Sequence, residues 1–282
     1  RLASRMFDRR VGLVAGWILA LSPMLIVESK LATVDAVLLA TIMIGMDALW
    51  SLQAGDARRS VAFVFWFALG LGILTKGPVA LVVPAATTLL FGMVRRDFTW
   101  IGRWNWLGGM SLLLAMVLPW VIAVQWATGG EFLSASVGHH VVTRTLKPLE
   151  NHAGFPGYYV VSVMLLMVPW SFLLPWAMLQ HRGRWKSDAR VTFLLAWTVG
   201  VLFVFEMIRT KLVHYYLPAY PALAILLASA LAGSFEGVRS GLERLRWRRL
   251  SWLVAGMGVS LILVVAGLSI RRLPQSIGEA AV

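Results

Sequence analysis

The sequence predicts an all-α, polytopic transmembrane helical bundle of about nine spans, and three observations carry that reading. Of 282 residues, 59% are hydrophobic and only 14% charged, with a mean hydropathy of +0.76. A soluble domain of this length carries about a quarter of its residues charged. The apolar residues also come in blocks long enough for a helix to cross a bilayer, which takes roughly 20 residues. Strand alternation is absent, which removes a transmembrane barrel. The chain has no cysteine, so disulfide and thiolate chemistry are excluded.

Taken in order, spans fall near 11–28, 31–50, 60–75, 77–94, 104–126, 156–180, 190–208, 213–231 and 250–270. The first follows Arg5, Arg9 and Arg10 and so mimics a secretory signal. Its apolar run is too long for one, no small-x-small cleavage site follows, and another span begins at once. The third and fourth are separated only by Thr75-Lys76-Gly77-Pro78, where Gly and Pro supply a tight re-entry. Residues 127–155 form the longest loop. Within it, Phe132, Leu133, Val137, Val141 and Leu146 recur at loosely helical spacing and predict an interfacial helix lying on the bilayer. No internal repeat or low-complexity segment divides the chain, so 1–282 reads as one transmembrane domain.

Charge then fixes the orientation. With residues 1–10 placed in the cytoplasm, the inside segments carry eighteen of the 26 Lys and Arg residues and the outside segments eight. That is a positive-inside bias. It also accounts for the formal net charge of +13 without nucleic acid, because the basic residues sit in separate short loops rather than on one aromatic-lined patch.

The outside cations are the informative ones. Arg271 and Arg272 follow the last span as simple anchors, while Lys30, Lys76, Arg144, Lys147, Arg209 and Lys211 recur at the external turns. Snorkelling at a helix end explains any one of them. Their recurrence suits an anionic ligand at the membrane surface, for which a phosphate is the natural candidate. Asp35 lies about one turn inside the outer end of the second span, a costly depth for a carboxylate that faces neither a cavity nor a partner. Glu28 and Lys30 mark the turn before it. Glu206 stands three residues before Arg209, so the two are expected to pair across one helical turn. Asp47, near the cytoplasmic end, is expected to be solvated. His139, His140, His152 and His214 share the external side, and a divalent metal there stays open as an alternative; the spacing matches no closed zinc motif.

Thr75-Lys76-Gly77-Pro78, the loop Gly129-Gly130-Glu131-Phe132 through Gly138-His139-His140, the helix start Pro156-Gly157-Tyr158-Tyr159, and Arg209-Thr210-Lys211-Leu212-Val213-His214-Tyr215-Tyr216-Leu217-Pro218 carry a family likeness. Together they resemble the bacterial aminoarabinose-transferase-like glycosyltransferases of the GT-C superfamily, beside the dolichyl-phosphate-mannose protein mannosyltransferases. The resemblance runs in order from residue 1 to about 231. It implies a GT-C bundle in the bacterial inner membrane that transfers a sugar, with inversion, from a polyprenyl-phosphate carrier to a lipid A, glycan or protein acceptor on the outer face. The residues then expected at the donor phosphate are Asp35, Lys76, Arg144, Arg209, Lys211 and Tyr215, with His139, His140 and His152 as further site histidines.

In the family, a large first external loop carries the acidic residue thought to act as base. Here residue 1 is Arg and the motif order starts at what resembles the third span. The expectation is an N-terminally truncated chain whose base lies upstream, with Asp35 in a supporting role; a base at Asp35 or Glu131 is the alternative. A secondary transporter or lipid flippase also gathers intramembrane charge around a cavity and is the rival class.

Overall fold

The computed structural model describes residues 1–31, 33–133 and 155–237, and these are helical with no sheet. A five-residue helix α1 (Leu2–Met6) leads into α2 (Arg9–Ala20), which Asp8 caps by accepting the Val11 N–H at 2.8 Å. The chain then turns into α3 (Pro23–Lys30). The predicted span 11–28 is therefore a helix pair bent by 61°. Pro23 has no N–H to offer α2 and pushes Ser22 into an extended conformation, φ −71° and ψ 122°.

The centre of the bundle is α4 (Asp35–Gln53), α5 (Arg59–Lys76) and α6 (Val79–Arg95). Small residues let these helices approach closely. A Cβ added at Gly72 would lie 2.7 Å from the Ala80 Cβ and 3.2 Å from the Thr41 hydroxyl, so glycine is what allows α4, α5 and α6 to meet there. Apolar burial gives little drive between helices in lipid, which makes such close backbone approach the main source of packing energy. A 3₁₀ segment, Thr99–Trp104, leads into α7 (Trp106–Ala127), which among the described residues packs mainly on α5; Leu107 and Trp126 are 85% and 82% exposed.

After a single turn α8 (Glu131–Leu133), the described chain resumes at Phe155 and forms α9 (Tyr158–Leu166). A 3₁₀ turn, Trp170–Leu173, and α10 (Leu174–His181) follow. The predicted span 156–180 is thus broken by 117°. Pro169, which cannot donate to the turn before it, sits at the break. The long helix α11 (Ala189–Met207) ends in a short non-helical stretch, and a 3₁₀ segment, Val213–Ala219, feeds α12 (Tyr220–Gly237). Alanine and leucine bury α12 almost completely among α2, α10 and α11.

Eight of the nine predicted segments are helical, while 250–270 lies outside the described residues. Among the described residues, five helices can cross a membrane by length and composition, or seven if each bent pair is one span; α6, at 17 residues, falls just short. Of the four segments that separate five from nine, two are the bent pairs at Pro23 and Pro169, one is α6 and one is the undescribed 250–270. Hydropathy averages across Pro23 and Pro169, whereas the backbone breaks there. The predicted interfacial helix is described only at its first turn, Glu131–Leu133; the rest of it, to 146, lies outside the described residues.

Candidate active site at the outer end of the bundle

The charged side chains of the described residues gather at the two ends of the bundle. At the end that the charge bias predicts to be external, α4 begins at Asp35 and its antiparallel neighbour α5 ends at Lys76. An anion in the first turn and a cation in the last turn each complement a helix dipole. The pairing of the two helices sets these residues side by side, and the Lys76 ammonium lies 2.5 Å from Asp35 Oδ1. Gly77, at φ 75°, ends α5, its N–H bonding to the Ile73 carbonyl at 2.7 Å, and Pro78 precedes the first residue of α6. The predicted Thr75-Lys76-Gly77-Pro78 re-entry is present. Asp35 is 9% exposed by side chain and Lys76 27%, so the ammonium is the reachable partner.

The Tyr215 ring stands beside this pair, 5.6 Å from the Lys76 Nζ. His214 meets it edge-on at 5.1 Å, and Phe205 lies tilted against it at 5.6 Å. Behind His214 lies Glu28, the carboxylate near the end of α3, only 4% exposed. The Thr33 hydroxyl donates to Glu28 Oε2 at 2.7 Å, and Glu28 Oε1 faces His214 Nδ1 at 3.9 Å. Sequence reasoning read Glu28 as a turn marker. Its burial and its imidazole partner become visible only once α3 packs beside the 3₁₀ segment.

Lys211 behaves differently from expectation. Its side chain is 5% exposed, and its ammonium donates to the Glu206 carboxylate at 2.5 Å and to the Glu206 carbonyl at 3.0 Å, with the Tyr159 ring 5.2 Å away. The same carboxylate accepts the Tyr159 N–H at 3.0 Å and the Gly157 N–H at 3.4 Å. Glu206 and Lys211 therefore fasten the start of α9 to the end of α11. The expected Glu206–Arg209 pair is absent because α11 stops at Met207 and Ile208 is extended, with ψ 129°, so the helical three-residue spacing no longer applies. Arg209 is exposed instead. Phe205 joins the two clusters, its ring lying 6.4 Å from Tyr159 and 5.6 Å from Tyr215.

Of the predicted site residues, Asp35, Lys76 and Tyr215 come together, Lys211 lies in the neighbouring cluster, and Arg209 is exposed at the same end. Glu131 sits at the end of α7, where Phe132 packs edge-on against Trp120 at 5.4 Å. Arg144, Lys147, His139, His140 and His152 lie outside the described residues. Among the described residues no three His, Asp or Glu side chains gather as a metal would need.

The fold and this site define a polytopic helical membrane protein with a cation and an aromatic ring set into one end. Residues 1–123 match the family described as dolichyl-phosphate-mannose-protein mannosyltransferase. The undecaprenyl phosphate-α-4-amino-4-deoxy-L-arabinose arabinosyl transferase of Aeromonas salmonicida is 31% identical over 80% of this chain and 41% of its own length. Its counterpart in Pseudomonas aeruginosa strain UCBPP-PA14 is 28% identical over 96% of this chain and 49% of its own. The crystal structure of ArnT from Cupriavidus metallidurans bound to undecaprenyl phosphate superposes with a TM-score of 0.79 at 25% identity, over 94% of this chain and 48% of that one. Its apo form gives a TM-score of 0.77. The chain belongs to the aminoarabinose-transferase-like family of GT-C glycosyltransferases. It spans less than half the length of these curated relatives.

Proposed function

We propose that this chain forms the donor side of a bacterial inner-membrane glycosyltransferase that takes a sugar from a polyprenyl-phosphate carrier. Lys76 is the observation that carries the reading. It is a partly exposed lysine at a helix end within a membrane bundle, and among the described residues Asp35 takes one of its three N–H donors. The remaining donors suit the oxygens of a lipid phosphate. As the glycosidic bond breaks, the polyprenyl phosphate gains negative charge, and a preplaced ammonium stabilises it without reorganising. Asp35 holds the Lys76 ammonium in place. Arg209, exposed at the same end, is a second cation within the same face.

The acceptor in this reading is a lipid A, another glycan or a protein hydroxyl or amine on the outer face, reached by an inverting displacement. Two features support a transferase over a transporter or flippase: the relatives are named as transferases, and the chain has no internal repeat. The separating experiment incubates membranes carrying the intact protein with radiolabelled polyprenyl-phosphate sugars. Label moving to an acceptor supports the transferase. Uptake into sealed vesicles without transfer would replace it with transport.

A further inference from the structure

At the inner end, two neighbouring segments carry more positive charge than their own carboxylates neutralise. Residues 95–103, after α6, and 182–190, between α10 and α11, hold seven Lys and Arg residues against Asp97 and Asp188. Asp188 is taken by Arg184 and Arg190, and Asp97 accepts the Thr99 N–H and hydroxyl at 2.8 and 2.6 Å. Arg96, Arg182 and Lys186 have no carboxylate partner among the described residues, and all three are exposed. The two segments are nevertheless fastened together, Arg95 donating to the Lys186 carbonyl at 2.7 Å. The loop that carries Lys186 is itself fixed. Its Trp185 carbonyl accepts the Thr192 hydroxyl at 2.7 Å, and its Arg184 carbonyl accepts the Asp188 N–H at 2.9 Å. Like charges are thus gathered on a set frame, where their mutual repulsion is uncompensated.

Arg96 sharpens the point. It ends α6 in the left-handed region, φ 53° and ψ 35°, which glycine takes freely and a residue with a Cβ does not. Where α5 ends at positive φ on Gly77, α6 ends on a cation. Apolar surface lies on the membrane side of these charges. Met93 and Leu89, 53% and 55% exposed, stand three and seven residues before Arg96 and so share its side of α6. Leu179, 61% exposed, stands three residues before Arg182. Trp185 is half-exposed with the Lys186 ammonium 4.5 Å from its ring, a pairing suited to the headgroup level of a bilayer.

We infer that this seam between α6 and the α10–α11 loop binds an anionic phospholipid of the phosphatidylglycerol type. The guanidinium groups and the Lys186 ammonium take the phosphodiester, and the acyl chains run along Met93, Leu89 and Leu179. A soluble acidic partner would meet the charges and leave the apolar stripes unused. The site is at the opposite end from Lys76, so it stands on the membrane reading of the bundle and not on the transferase reading.

The test uses the intact protein in a non-ionic detergent with phosphatidylglycerol, phosphatidylcholine or soluble glycerol phosphate added, and reads bound lipid by native mass spectrometry beside the melting temperature. Phosphatidylglycerol should bind and raise the melting temperature, phosphatidylcholine should do so far less, and salt should weaken the effect. Arg96→Gly, Arg182→Gln and Lys186→Gln should each weaken phosphatidylglycerol binding about fivefold. Arg96→Gly also relieves the left-handed backbone, so without lipid it should melt no lower than wild type. A lower melting temperature with unchanged lipid binding would make Arg96 a structural cap and overturn its role. Arg58→Gln, which removes an exposed arginine of the same end paired with Asp56, should leave binding unchanged; an equal loss there would reduce the effect to net charge and overturn the site. Wild-type binding by the triple variant, or equal binding of phosphatidylcholine, would overturn the inference. Full competition by glycerol phosphate would leave a site for free anions, and full competition by polyglutamate one for an acidic polypeptide; either result overturns the lipid assignment. Because binding is read without sugar transfer, a wild type that transfers no sugar removes the transferase reading alone.

Discussion

The two ends of the bundle use different cations for different purposes. The predicted inner end is built with arginine, and much of that arginine holds backbone. Arg103 donates to the Leu52 and Gln53 carbonyls at 3.0 and 3.3 Å, Arg95 to the Lys186 carbonyl at 2.7 Å, and Arg190 to the Met6 carbonyl at 3.3 Å. These close the orphan carbonyls at the ends of α4 and α1 and tie neighbouring loops together. The inner ion pairs are exposed on the arginine side, Arg1 at 81% and Arg58 at 72%. At the outer end the paired cations are lysines, their partners are carboxylates, and the pairs sit low in the surface. Exposed arginine pairs are worth little. Buried lysine pairs need a reason.

The comparison assumes that the ends face opposite compartments, and that assumption is all-or-none. The chain has no cysteine, so single cysteines can be introduced cleanly at Ser29 and Ser187, both exposed. In intact cells an impermeant maleimide should label Ser29→Cys and leave Ser187→Cys unlabelled until the membrane is opened. Labelling of both from one side would end the two-compartment contrast.

Within the outer end, the largest effect should come from the clamp. Lys211→Ala removes the cation from Glu206, whose side chain is 21% exposed, and loosens the start of α9. Breaking a fully buried pair costs about 3–5 kcal/mol, and the solvent that reaches Glu206 brings this one below that range. The variant should accumulate poorly in membranes, and what remains should melt early. Lys211→Ala protein that accumulates normally but does not transfer would return Lys211 to the phosphate site where the sequence had put it. Lys76 should show the reverse pattern. Lys76→Ala should accumulate normally and lose roughly tenfold to a hundredfold in transfer, since one charge-assisted contact contributes about 1.5–3 kcal/mol. Wild-type transfer by Lys76→Ala would reduce Lys76 to a helix-end anchor.

This split shows which parts of the molecule could be read in advance. The helices were legible because bilayer-length apolar runs have few other uses. Asp35 was legible because a charge one turn inside such a run demands an explanation, and Lys76 because cations recur at the external turns. The partner of Glu206 was not, since it depends on α11 stopping at Met207, and a stop one residue later would bring Arg209 back within helical reach. Glu28 was hidden for a related reason. It lies beside a turn in the sequence, where carboxylates are usually solvated, and only the bend at Ser22-Pro23 swings α3 against the 3₁₀ segment that carries His214. Asp47 was expected to be solvated but is 18% exposed and takes both Arg1 and Arg5. Short helix α1 brings them back over α4.

The smallest effect should come from the best-organised pair of the inner end. Asp188 caps α11 by accepting the Arg190 N–H at 3.0 Å and pairs with the Arg184 and Arg190 guanidinium groups, both at 2.8 Å. Burial opposes its ionisation, but the Arg190 hydrogen bonds and the two positive charges prevail and bring its pKa from 3.8 to about 2. A carboxyl held below its unfolded value adds stability that is complete above about pH 4 and disappears as pH falls toward 2. The arginines are 52% and 38% exposed, so solvent and salt weaken the pair. Asp188→Ala, which removes cap and charge together, should cost about 1 kcal/mol near neutral pH. Asp188→Asn keeps an oxygen for the cap and should cost less. Melting of the detergent-solubilised protein from pH 7 to 2 distinguishes the two contributions. The gap between wild type and Asp188→Asn should close as pH approaches 2, whereas the gap to Asp188→Ala should narrow without closing. A gap to Asp188→Asn that is unchanged at pH 2 would mean that charge plays no part at this helix end, and that the arginines of the inner face act through their backbone contacts alone.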